Sequence, residues 1–126
     1  MINGDEFKQT KGQLQRALSQ GIQKLYKQEL GHSTGKVTCH ILGDKVTVII
    51  EDSLTKTEQI LIDGASSDDI QSDVEQIRSD VDTAIRPKIS GLVEEILSIK
   101  VVDFLSDTTL ETGRTGLVII LAESIG

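Results

Sequence analysis

The feature that most constrains this chain is a run of nine aliphatic residues at helical spacing. Ile70, Val74, Ile77, Val81, Ile85, Ile89, Leu92, Ile96 and Ile99 follow one another in steps of three or four. Such a stripe predicts a long amphipathic helix whose apolar side must be covered by other elements. Pro87 falls inside it. A proline removes one backbone hydrogen bond and clashes with the preceding turn. The stripe keeps its phase across Pro87, which leaves two forms open: one kinked helix, or two abutting helices broken near Arg86.

The rest of the chain supplies the cover. Phe7, Leu14, Leu18, Ile22 and Leu25, with Tyr26 beside them, make a second helical stripe behind a flexible arm at residues 1–6. Gly12 and Gly21 weaken that helix by about 1 kcal/mol each relative to alanine. Gly31 is suited to end it in the left-handed conformation. The period then changes. Val37, Cys39 and Ile41 alternate with Thr38 and His40, Gly43-Asp44 forms a turn, and Val46, Val48 and Ile50 alternate again with Ile49 on the outer face. This predicts a hairpin with one apolar face. Thr55 and Glu58 have capping-box spacing for a short helix carrying Ile60 and Leu61 and ending at Gly64. Ser66, Ser67, Asp68 and Asp69 start the long helix, with acids near its positive end.

Residues 100–105 and 117–121 read as two further strands, with 112–116 in or near the loop between them. The predicted order is α-β-β-α-α-β-β. The expected fold is therefore a single α+β domain spanning residues 1–126, with two layers: a four-stranded antiparallel sheet from two β-hairpins, packed by helices on one face. Residues 117–121 are apolar on both faces, so that strand is central or is covered by another subunit. The expectation is a homodimer.

Charge narrows the partners. The net charge is −7, with two Phe, one Tyr and no Trp. Nucleic-acid binding draws on phosphate neutralisation and aromatic stacking, so no nucleic-acid partner is expected. Residues 1–36 hold six Lys/Arg and three Asp/Glu, whereas 51–82 hold two and ten. That asymmetry suggests electrostatic docking, or two solvated helix faces. The polar first 30 residues and the lack of an 18-residue apolar run lead to an expected cytoplasmic location with no direct membrane insertion. A membrane-protein partner remains compatible with this.

No catalytic constellation emerges, so no enzyme, metal or cofactor is expected. The segment Gly31-His32-Ser33-Thr34-Gly35-Lys36 lacks P-loop spacing, has Val37 in place of the magnesium-binding hydroxyl, and leads from helix to strand. Cys39 and His40 are neighbours on a strand and point to opposite faces, which rules out a dyad. Asp69 and Asp73 share a helix face without a loop of oxygen ligands. Arg86 and Pro87 at the helix interruption, with Ser106 and Asp107 after the third strand, form the candidate interface or anion site. The alternative for them is structural: a carboxylate partner for Arg86 and an Asx turn at Ser106-Asp107.

The order of several short motifs resembles the MpsC family. They are Gly31-x-x-x-Gly35-Lys36, the strand at 46–50, Leu54-Thr55-x-x-Glu58, Arg86-Pro87, and Lys100-Val101-x-x-Phe104-Leu105-Ser106-Asp107. The resemblance covers residues 14–123. Members usually read Leu-Thr-Pro-Ala-Glu where this chain has Leu54-Thr55-Lys56-Thr57-Glu58, so a helix-starting proline is missing. The resemblance implies a soluble accessory or regulatory subunit of a cation-translocating, membrane-potential-generating system similar to complexes for inorganic-carbon uptake. The alternative is a domain that senses a small anion such as bicarbonate.

Overall fold

A computed structural model describes residues 9–64 and 68–125. The expected arm at 1–6, Phe7, and the helix-start serines Ser66 and Ser67 lie outside the described residues. The element order is α1 (Lys11–Leu30), β1 (Val37–Leu42), β2 (Lys45–Ile50), α2 (Lys56–Asp63), α3 (Asp68–Leu97), β3 (Val101–Thr109) and β4 (Arg114–Leu121). The strands form one antiparallel sheet in the order β1-β2-β4-β3. Helices α1 and α3 cover one face, α1 lying mainly over β1 and α3 over β3. This is the α+β fold expected from the periodicities.

Local chemistry explains the boundaries. Thr10 caps α1 in a reciprocal box with Gln13, and Gly31 at φ 63° stops it. At β1–β2, Leu42 pairs with Lys45 and Gly43 has φ 63°, so the two-residue loop takes a glycine-first turn that matches sheet twist. Thr55 and Glu58 form the expected capping box of α2. Backbone bonds from Gly35 to Glu51 and from Glu51 to Lys36 extend the hairpin, so the glycine-lysine segment is the helix-to-strand connection.

The core joins Leu18, Ile22 and Tyr26 of α1 to alternate residues of three strands and to α3. Cys39 is buried within it, and burial pushes its thiol pKa up. Gly21 has a packing role that helix propensity alone does not reveal. A Cβ there would lie 2.9 Å from Leu92 Cδ2, so its absence lets α1 approach α3 closely.

Helix α3 is continuous through Pro87, whose side lies towards solvent. Its inward stripe differs from the expected one. Val74, Arg78, Ile85, Ile89, Val93 and Leu97 are buried, while Ile77 is exposed and Val81, Leu92, Ile96 and Ile99 are only half-buried. The two stripes share Val74, Ile85 and Ile89. An apolar band wider than one stripe does not reveal which line meets the sheet.

Two further expectations change. Ser106 and Asp107 lie within β3 rather than in a turn after it, and Thr115 and Gly116 belong to β4. On α2, Ile60 and Leu61 face outward; among the described residues of that helix, the buried one is Glu58.

Candidate functional site

Arg78 is the centre of the polar interior, 2% exposed. Its position four residues after Val74 and seven before Ile85 puts it on the face of α3 that meets the sheet. Nη1 donates to Ser53 O at 3.0 Å and to Glu58 Oε1 at 3.2 Å. Nη2 donates to Tyr26 OH at 3.1 Å and to Thr115 Oγ1 at 3.4 Å. Nη2 also lies 2.9 Å from Asp82 Oδ1, one helical turn further along α3. One guanidinium thus ties together α1, the segment before α2, α2, α3 and β4. Thr108 brings in β3 by donating to Asp82 Oδ2 at 2.9 Å and contacting Thr115 Oγ1 at 2.6 Å.

Electrostatics fit this arrangement. Desolvation alone would lower the Arg78 pKa, but Tyr26, Asp82 and Glu58 outweigh it and the net direction is upward. Tyr26 is pushed above its ordinary value, chiefly by burial, with Arg78 opposing the shift. Glu58 Oε1 also accepts from Thr55 N and Thr55 Oγ1, so the cap glutamate doubles as counter-ion of Arg78.

Beside this network lies a polar cleft of about 560 Å³ between α3 and β3. Three of the four candidate residues from the sequence line it: Arg86, Ser106 and Asp107. Arg86 Nη2 donates to Ser106 Oγ at 3.1 Å, and its guanidinium carbon sits 5.5 Å from the Phe104 ring centroid. Arg86 therefore pairs with a hydroxyl and an aromatic face rather than with a carboxylate. Asp107 accepts from the backbone N–H of Thr108 at 3.0 Å. Pro87 is exposed and does not line the cleft.

The lining contains Glu75, Asp82, Asp107 and Glu111 against Arg78 and Arg86. Four carboxylates against two guanidiniums make entry of an anion unfavourable. Arg86 Nε lacks an acceptor among the described residues but is itself buried, so it does not face the cleft as an open donor. Sequence reasoning missed Arg78, Asp82, Tyr26, Thr108 and Thr115. The available signal was Arg78 and Asp82 in phase with Val74 and Ile85.

Fold and interior together define a two-layer α+β domain braced by one buried cation. The chain belongs to the MpsC family, described as "Na+-translocating membrane potential-generating system (MpsC)", which matches residues 10–123. That membership links it to a membrane-potential-generating system. No curated protein and no solved structure matches the chain. Among the described residues, no helix is long and apolar enough to cross a membrane.

Proposed function

We propose that the chain is a non-catalytic accessory subunit that docks on the membrane component of a cation-translocating system. The observation that carries this reading is an apolar groove of about 350 Å³ between the end of α1 and α3. Leu30, Ile77, Val81, Ala84 and Ile85 line it, and Glu29, Asp80 and Lys88 ring it. Lys88 reaches Glu29 at 3.3 Å across the rim. An apolar floor inside a charged rim suits an apolar segment of a partner protein. The interior charges support a binding role as well, because Glu58 and Asp82 are each paired with Arg78.

The test is capture of the solubilised membrane component by purified chain, together with sodium-dependent membrane potential in cells lacking the chain. Ile77→Asp places a carboxylate at an exposed groove position and leaves folding intact. The wild type should capture the component and restore the potential, whereas Ile77→Asp should do neither. Equal performance of the two proteins would reject the groove as the docking site.

A further inference from the structure

The open face of the sheet is a second apolar surface, and it is independent of the groove. The registers place His40, Thr47, Val118 and Leu105 in one row across β1, β2, β4 and β3. The next row is Leu42, Lys45, Ile120 and Asp103; the row on the other side is Thr38, Ile49, Gly116 and Asp107. Leu42, Ile49, Leu105 and Val118 are exposed, Leu42 at 63% and Leu105 at 55%. Leu42 stands apart, but Ile49, Val118, Ile120 and Leu105 adjoin one another across β2, β4 and β3, and a contiguous group on one sheet face marks a binding surface.

The edges are less suited to pairing than the face. On β1, the outward N–H of Ile41 donates to Gln15 Oε1 of α1 at 2.9 Å. On β3, the N–H groups of Phe104 and Thr108 donate to the Asp103 and Asp107 carboxylates, and a register shift interrupts the strand between Val101 and Asp103. Side-chain blocking and bulges are the usual means of preventing edge-to-edge addition.

From these positions we infer that the face binds a second copy of the chain, through a two-fold axis running along the strands. Charge selects both the partner and the axis. Lys45 lies on the β1–β2 side of the face, and Asp103 and Asp107 lie on the β3 side. Rotation about an axis parallel to the strands sets β1 and β2 of one copy over β3 and β4 of the other. Lys45 of each copy then stands over Ile120 of the other, one strand away from its Asp103 and within reach of that carboxylate, Leu42 lies over Asp103, and Val118, Thr47, Ile49 and Ile120 meet at the centre. An axis across the strands would instead bring the β3 acids of both copies together. The existing partner of Lys45 is Asp44, in an exposed pair at 2.7 Å, which adds little and is readily exchanged. Four strands about 4.8 Å apart and six residues rising about 3.3 Å each give a patch of about 400 Å² per copy before side-chain relief is counted. Two copies then bury about 800 Å² in all, below the size of specific stable interfaces, so the pair is a weak one whose association depends on concentration.

The experiment is sedimentation of the purified full chain over a concentration series. The wild type should pass from monomer to dimer. Val118→Glu should stay monomeric with an unchanged melting temperature, since Val118 is not part of the core. Lys45→Glu and Asp103→Lys should each weaken self-association about tenfold, and an equimolar mixture of the two should restore a dimer, because both cross-pairs are then opposite in charge. A wild type that remains monomeric throughout, or a Val118→Glu variant that still dimerises, overturns the proposal. Failure of the mixture to recover overturns the axis. Because only purified chain is used, none of these outcomes depends on the membrane component.

Discussion

Replacing Arg78 with methionine keeps a long side chain in place and removes the guanidinium. In the folded state this strands Glu58 and Asp82 in the interior and deprives Tyr26, Thr115 and the Ser53 carbonyl of a donor. Removing one member of a buried ion pair costs about 3–5 kcal/mol, mostly from the charge left behind. Domains of this kind are stable by about 5–15 kcal/mol, so the variant should still fold in the cold. At about 3–5 °C per kcal/mol for a chain of this length, the midpoint should fall by roughly 10–20 °C. Thermal and urea unfolding followed by circular dichroism measure this, and the urea slope should stay unchanged. Arg114→Ala is the contrast. Arg114 meets Glu51 at 2.7 Å, but at 56% and 38% side-chain exposure that pair should be worth less than about 1 kcal/mol. If Arg78→Met costs no more than Arg114→Ala, the guanidinium does not brace the fold.

Four other outcomes follow. Tyr26 is the sole tyrosine, so tyrosinate absorbance reads it directly. Its raised pKa means that the unfolded chain loses this proton first, so stability should be full below pH 10 and decline as pH rises through the folded value; a midpoint at or below 10 in the folded chain refutes the burial. Gly91→Ala should stabilise by about 1 kcal/mol, because a Cβ there meets no atom within 4 Å, whereas Gly21→Ala should lose that gain against Leu92; chemical denaturation of both separates propensity from packing. Ser98 has φ 56° just after α3, so Ser98→Gly should raise the melting temperature by relieving about 1 kcal/mol of left-handed strain. Bicarbonate at matched ionic strength should leave the melting temperature unchanged in both wild type and Arg86→Ala; a rise seen only in the wild type would restore the anion reading of the cleft.

Much of the architecture was legible because it rests on local chemistry. The Val37–Ile50 alternation, the Gly43 turn and the Thr55–Glu58 cap each follow from neighbours in sequence. The extent of β3 was not legible. Ser106 and Asp107 read as a turn, yet with Thr108 and Thr109 they form a strand because β4 supplies their hydrogen bonds. The polar interior was hidden for a related reason. Arg78 and Asp82 read as solvated helix residues until α1, α2 and β4 close over them, and only the tertiary fold brings Tyr26 and Thr115 within reach. Of the candidate residues, Arg86, Ser106 and Asp107 do converge on one cleft, while Pro87, singled out as a helix breaker, points away from it.

The double duty of Glu58 has a consequence for cooperativity. An eight-residue helix does not persist alone in water, because nucleation costs more than so few turns return. Here the carboxylate that closes the first turn of α2 is also held by Arg78 across the interior. Helix formation and domain closure therefore depend on the same atom. Segment 56–63 should not fray as an independent surface helix, despite its exposed Ile60 and Leu61. Its amide protons should instead exchange with solvent at the rate set by unfolding of the whole domain.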